Sequence, residues 1–259
     1  DWWEIEKEDT IGLFGEDNIL LSDLVLRMET NNISDCSLVQ SSPFVFRDAL
    51  EENEIQDYLK AGICPAGRVT RVEEQYRNLD TRIISGFDFS TRYFVNSDYG
   101  NFNFIVNISK LEKFRQKAGN DFIELIDAQE KGIIPEELAI TGFSDLIEKD
   151  GSPKIQANFK FLWNRGSWGL GLFGRHIGEF YETRNKLSDG RLWKVKAYNT
   201  INTFIDYNFK ISGSQSNLRF GINNIADERA PLASDIFGYY IDKHDNLGRS
   251  YYINFIHRY

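Results

Sequence analysis

Lys154-Ile155-Gln156-Ala157-Asn158-Phe159-Lys160-Phe161-Leu162-Trp163, followed by Asn164-Arg165-Gly166-Ser167 and then Trp168-Gly169-Leu170-Gly171-Leu172, is the stretch that decides the fold. Ile155, Ala157, Phe159, Phe161 and Trp163 occupy every second position, with Lys154, Gln156, Asn158, Lys160 and Leu162 between them. A period of two belongs to an extended strand whose side chains point alternately to an apolar and a polar side. Asn164 to Ser167 make a turn, after which Trp168, Leu170 and Leu172 open a second strand with Gly169 and Gly171 on its other face. Two such runs around a short turn predict an antiparallel hairpin.

The pattern repeats in both directions. Downstream, Trp193, Val195, Ala197, Ile201, Thr203, Ile205, Tyr207, Phe209 and Ile211 share a face, a turn follows at Ser212 to Ser216, and Leu218, Phe220 and Ile222 continue. Upstream, Ile83, Phe87, Phe89, Tyr93 and Val95 alternate with Arg82, Gly86, Asp88, Ser90 and Arg92, and Phe102, Phe104, Val106 and Ile108 follow a turn at Asn96 to Gly100. The chain closes with Tyr251, Ile253, Phe255, His257 and Tyr259 on one face. About eight consecutive antiparallel strands are predicted, near 1–9, 67–95, 101–113, 153–164, 167–182, 191–211, 215–225 and 249–259, the second broken near Asn78-Leu79-Asp80.

Connections alternate in length. Short turns fall near 96–101, 164–167 and 212–217, and long connections near 10–66, 114–152, 183–190 and 226–248. Short turns on one rim and long loops on the other are the layout of an outer-membrane barrel, which a soluble sandwich need not share. Two connections are predicted to contain helix, Asp17 to Met28 and Asp121 to Lys131 with Gly132 as a stop.

Composition bounds the classes. With 259 residues the chain is long enough for one large all-β domain or two ordinary ones, and 14% aromatics favour strands over helix bundles. A net charge of −9 without a Lys/Arg block makes nucleic acid a poor partner. No run of eighteen apolar residues exists, so no transmembrane helix is predicted. Barrel strands need only about ten residues with alternate ones facing lipid, so a mean hydropathy of −0.42 fits a barrel as well as a soluble protein. Asp1-Trp2-Trp3-Glu4-Ile5-Glu6 lacks the features of a signal peptide and reads as a strand already under way, as expected of a piece of a larger protein. Cys36 and Cys64 lie in a turn-rich region; an oxidising compartment would let them close a loop, and otherwise they are unrelated thiols.

Large aromatics gather near the turns: Trp163 and Trp168 at one, Tyr207 and Phe209 near another, Tyr99 and Phe102 at a third. Aromatics at strand ends fit the girdle where acyl chains meet headgroups, and the polar faces fit a wet lumen.

The last stretch is the most specific. Leu218-Arg219-Phe220-Gly221-Ile222-Asn223-Asn224-Ile225-Ala226-Asp227 is followed by Pro231, Phe237-Gly238-Tyr239 and Gly248-Arg249-Ser250-Tyr251. It resembles the C-terminus of the TonB-dependent outer-membrane receptors, in which Gly-x-x-Asn-hydrophobic-x-Asp ends a strand, a loop with Pro follows, and Gly-Arg-x-Tyr opens the last strand. The elements Gly221, Asn223, Asn224, Asp227, Pro231, Gly238, Tyr239, Gly248, Arg249 and Tyr251 stand in that order. Trp3-Glu4-Ile5-Glu6 with Asp9-Thr10-Ile11, and Asn78 with Gly86-Phe87-Asp88, resemble strands of the family as well.

The resemblance implies an antiparallel up-and-down transmembrane β-barrel, with residues 1–259 the C-terminal portion of a 22-stranded barrel and the plug outside this chain. It implies a localisation in the outer membrane of a Gram-negative bacterium. It implies active import of a scarce solute such as a siderophore, cofactor or oligosaccharide, with TonB and ExbB–ExbD acting through a region not in this chain. The final alternation Tyr251, Ile253, Phe255, His257 and Tyr259 resembles the signal read by the barrel-assembly machinery. Outer-membrane lipid and a small-molecule ligand are the other expected partners, and the loop residues Arg47, Tyr58, Arg68, Arg184 and Lys186 are candidate ligand contacts.

No catalytic set, metal site or cofactor site is predicted. His176, His244 and His257 sit in separate segments without metal-ligand spacing, and no phosphate loop or nucleophile elbow occurs. The run Glu51-Glu52-Asn53-Glu54 with Asp57 reads as a solvated loop in preference to a cation site. Alternative readings are a small closed barrel acting as a pore or anchor, an outer-membrane enzyme, and a soluble β-sandwich binding module.

Overall fold

The computed structural model describes residues 1–258; Tyr259 and the side chain of Asn185 lie outside it. Eight strands form one antiparallel sheet in chain order: β1 (Trp2–Lys7), β2 (Arg82–Ser97), β3 (Gly100–Gln116), β4 (Ile155–Arg165), β5 (Trp168–Ile177), β6 (Tyr198–Ile211), β7 (Ser214–Asn223) and β8 (Ser250–His257). A two-residue strand, Ser144–Asp145, pairs with the end of β3. Among the described pairings β1 and β8 are the two ends of the path, so the sheet is part of a barrel wall and not a small closed barrel.

Register decides which side chains share a face. Across β3 to β8, Phe104 stands opposite Phe161, Phe161 opposite Leu172, Leu172 opposite Thr203, Thr203 opposite Ile222, and Ile222 opposite Tyr251. One step along, Leu170, Ile205, Phe220 and Ile253 make the next row. These rows are open to the surroundings, Ile205 at 43% and Ile253 at 74% exposure. A sandwich would have interleaved them with a facing layer; an apolar wall against acyl chains has no such layer.

The short-turn rim carries the aromatics. Trp168 and Tyr207 pack with ring centroids 4.7 Å apart, Tyr207 and Phe209 at 5.8 Å, and Phe209 and Phe255 at 6.4 Å. Trp163 Nε1 donates to the Tyr99 carbonyl at 2.9 Å. Both residues of the Ser212-Gly213 turn have positive φ, 48° and 87°, the conformation whose twist suits a tight hairpin.

Three predicted strands are each split. The run 67–95 is Val69–Val72, Tyr76–Asn78 and then β2; 167–182 is β5 and then Phe180–Lys186; 191–211 is Leu192–Val195 and then β6. Phe180–Lys186 and Leu192–Val195 pair with each other as a separate hairpin, Phe180 opposite Val195. The alternation runs on through the break because Phe180 and Val195 are fully buried, Phe180 against Tyr240 and His244, so the hairpin has its own apolar side.

The chain divides into two compact units, a sheet unit of Asp1–Ile5, Ile84–Phe114 and 147 onward, and a loop unit of Glu6–Ile83 and Arg115–Leu146. The loop unit has a core of its own, with Phe14, Ile19, Leu79, Phe122, Leu125 and Ile134 at its centre. It holds α1 (Glu16–Glu29), α2 (Glu52–Lys60) and α3 (Asn120–Glu130). α1 and α3 lie where the apolar spacing places them, and Gly132 follows α3 with φ 76°. α2 replaces the predicted loop at the acidic run. Its start is a capping box in which the Glu51 side chain and Glu54 each satisfy the other's backbone N–H.

Cys36 and Cys64 are joined, with Cα atoms 5.5 Å apart and a sequence separation of 28. Closing a loop of that length stabilises the folded unit by about 3–4 kcal/mol, through the lost freedom of the unfolded chain. Replacing both by serine is therefore expected to lower the unfolding free energy of the loop unit by that amount in guanidinium titrations followed by helix signal. A loss under about 1 kcal/mol would remove loop closure as a stabilising device here.

Candidate functional site

The inner candidate surface is the polar face of the sheet, where side chains pair across strands. Arg219 and Asp206 form a two-pronged ion pair, Nε to Oδ1 at 2.6 Å and Nη2 to Oδ2 at 2.9 Å, and the guanidinium lies 3.7 Å from the centroid of the Phe204 ring. Ser90 Oγ donates to Asn107 Oδ1 at 2.7 Å, and Asn107 Nδ2 donates to Asn158 Oδ1 at 2.8 Å. Ser109 donates to Asp88 at 2.6 Å, and Asn217 to Asn208 at 2.9 Å. Such a surface is stable against water and costly against lipid.

Glycines on this face are covered by rings from the next strand: Gly171 by Phe204 and Gly221 by Tyr252, each directly opposite. A Cβ at either position would overlap the ring, so the glycine seats the aromatic flat on the sheet.

Towards the long-loop rim this face hollows into a cavity of about 300 Å³, lined by Arg175, Thr200, Asn202, Asn223, Asp245 and Ser250 among others. Its roof is the segment before β8. A guanidinium, amides and hydroxyls around such a space suit a small polar or anionic group.

The C-terminal motif is the clasp that positions this roof. Asn224, with φ 52°, is nearly buried; its Nδ2 donates to the Glu228 carbonyl at 2.8 Å and its Oδ1 accepts from the Glu228 N–H at 2.9 Å. Its own N–H donates to Asn202 Oδ1 at 2.8 Å, tying the turn to β6. Asp227, with φ 55°, accepts from the Arg249 N–H at 2.8 Å. That backbone bond, with the Arg229 and Arg249 cations, holds its carboxyl below the usual value. Gly248 has φ 75°, and a Cβ there would meet Asp227 Oδ1 and Arg229 at 2.7 Å. The motif thus closes the long connection at its root, where β7 ends and β8 begins. Of the expected assembly signal, His257 meets Ser216 Oγ at 2.9 Å and stacks on Phe255; Tyr259 lies outside the described residues.

The five candidate ligand contacts are divided between the units. Arg47 and Arg68 lie on or beside neighbouring strands of the small Val45–Arg47 and Val69–Val72 sheet, and the Arg68 carbonyl accepts from the Asp48 N–H at 3.0 Å. Arg47 is engaged within the loop unit: Nη2 binds Asp23 Oδ2 at 2.7 Å and Nη1 the Gly67 carbonyl at 2.8 Å. Tyr58 is half-buried on α2, and Arg68 is exposed. Arg184 and Lys186 are exposed on one strand of the separate hairpin in the sheet unit. Near them Lys194 pairs with Glu179 at 2.7 Å. Sequence reading missed Arg175 and the wall cavity, although its polar-face position was readable from the alternation of β5. Among the described residues no cluster of three or more His, Cys, Asp or Glu side chains could hold a metal.

The family model described as TonB dependent receptor-like, beta-barrel, matches residues 49–225. No curated protein matches the sequence. Among solved structures, the siderophore receptor PirA from Acinetobacter baumannii is similar at 16% identity and a TM-score of 0.48, over 98% of this chain and 28% of that one. This chain therefore spans under a third of that receptor's length. The family match covers more than half of the chain and falls on the two-faced sheet and its loops: the chain belongs to the TonB-dependent receptor β-barrel family.

Proposed function

We propose that this chain builds wall and outer loops of an outer-membrane importer that takes up a scarce small solute, with TonB and ExbB–ExbD supplying the energy. The observation that carries the reading is the two-faced sheet, apolar and open on one side, polar and internally hydrogen-bonded on the other. In this reading residues 1–259 are the C-terminal part of the barrel, and the plug and the TonB-contacting segment belong to a region outside this chain. The barrel-assembly machinery would read β8. The solute, a siderophore, cofactor or oligosaccharide, would meet Tyr58, Arg68, Arg184 and Lys186 on the loops. Arg47 would act by holding Asp23.

The test is uptake by the host grown under iron or carbon limitation. Uptake of one labelled solute is expected to fall at least tenfold both when this protein is deleted and when TonB is removed. Entry that needs this protein but not TonB would replace the importer by a passive pore. Uptake unchanged by alanine at Tyr58, Arg68, Arg184 and Lys186 together would remove those contacts.

A further inference from the structure

His244 is a buried side chain with no role in the clasp or the wall. It lies in the connection from β7 to β8, 4% exposed, and among the described residues neither ring nitrogen has a hydrogen-bond partner. Buried polar groups without partners are rare and ask for a reason. The imidazole lies parallel to the Phe180 ring, planes 2° apart and centroids 6.0 Å apart, and meets Tyr198 edge-on at 5.2 Å. Phe180 belongs to the separate hairpin and Tyr198 opens β6, so one ring pins the connection to two elements.

Other ties hold the same segment. The Tyr198 hydroxyl donates to the Asp245 carbonyl at 2.6 Å, Trp193 Nε1 to the Leu232 carbonyl at 2.9 Å, and the Ser234 N–H to Glu182 Oε1 at 2.8 Å. Asp245 and Leu247, directly after His244, line the wall cavity beside Arg175 and Thr200.

We propose that His244 is a pH-sensitive latch: neutral, it seats the segment 229–248 over the wall cavity, and protonated, it leaves its apolar seat and the segment lifts. The charges around it leave the imidazolium without support. Arg175 of β5 and Lys243 of its own segment are cations. The Asp245 carboxylate accepts the Leu247 N–H at 2.8 Å, and buried Glu182 of the hairpin accepts from Ser234. Tyr198 and Tyr240 offer phenols. Burial first, then Arg175 and Lys243, hold the ring below its ordinary value of 6.5. The closed segment therefore keeps its full stability above pH 6.5. It loses stability as the pH falls from there through the lowered value, because only the opened state takes up the proton readily.

The latch regulates the cavity named above, but its test reads segment opening and not uptake, so either idea can fail alone. The intact receptor in outer-membrane vesicles is followed by amide hydrogen exchange of residues 229–248, corrected for the intrinsic pH dependence. Exchange is expected to quicken at least tenfold between pH 7.5 and 5, and to stay slow at both in His244→Phe, which fills the seat without titrating. Exchange independent of pH in the unaltered protein overturns the proposal. So does a His244→Phe protein that opens on acidification as before. Exchange at the His244 C2 position, which needs no variant, is expected to be slow and to titrate below 6.5; fast exchange with an ordinary midpoint also overturns it.

Discussion

Ile205→Arg is expected to destabilise the barrel by about 2–4 kcal/mol, whereas Asn208→Arg, three residues on, is expected to cost under about 1 kcal/mol. Ile205 lies midway along β6, between Leu170 on β5 and Phe220 on β7, in the middle of the apolar wall. A guanidinium there has no water within reach and must snorkel past neighbouring side chains or thin the membrane around it. Asn208 points to the opposite face, the side that holds Asp206, and its amide already meets Asn217 at 2.9 Å. A cation there stays wet, beside the Asp206–Arg219 ion pair. The measurement is unfolding by urea in lipid vesicles, followed by tryptophan fluorescence, for both variants and the unaltered protein. Equal losses at the two positions, or a larger loss at Asn208, would reverse the assignment of the faces, and with it the transport reading.

That assignment was legible in the sequence because a strand writes its two environments into alternate positions. Phe159, Phe161 and Trp163 need only their spacing to declare a face, and the cross-strand register then follows from the short turns. The same rule misled where a second strand continued the alternation above the sheet. Trp193 and Val195 keep the period of Ile201 and Ile205, yet Val195 is fully buried while Ile205 stands open. Period two reports that one side is apolar; it does not report what covers that side. The clasp was legible for another reason: Asn224, Asp227 and Gly248 all have positive φ, which few residue types adopt readily, so the backbone leaves its mark on residue choice. α2 could have been read from Glu51 and Glu54 with Ile55, Tyr58 and Leu59 behind them. The core of the loop unit could not. Phe14 packs on Phe122 at 4.9 Å across more than a hundred residues, and Arg47 finds Asp23 on a helix 24 residues earlier, contacts for which no local pattern exists.

Asp23→Ala is expected to damage the loop unit about as much as losing its disulfide. The Asp23 side chain is 0% exposed; its Oδ2 accepts from Arg47 at 2.7 Å and its Oδ1 from the Ser42 N–H at 2.7 Å. One carboxylate on α1 thus fixes both the turn before Val45–Arg47 and the strand itself. Alanine leaves Arg47, with 23% of its side chain exposed, holding a charge against the Gly67 carbonyl alone, and leaves the Ser42 N–H without an acceptor. Breaking a buried pair costs about 3–5 kcal/mol, and the partial exposure of Arg47 places this one near the lower end, about 3 kcal/mol. Removing both charges should cost less than removing one, because the penalty lies in the stranded partner and not in the lost attraction. Asp23→Leu with Arg47→Met is therefore expected to recover at least half of the loss in guanidinium unfolding of the loop unit. If Asp23→Ala costs less than about 1 kcal/mol, or the double variant is as unstable as the two single changes summed, the pair is a surface contact and the unit is held by its apolar core and its disulfide.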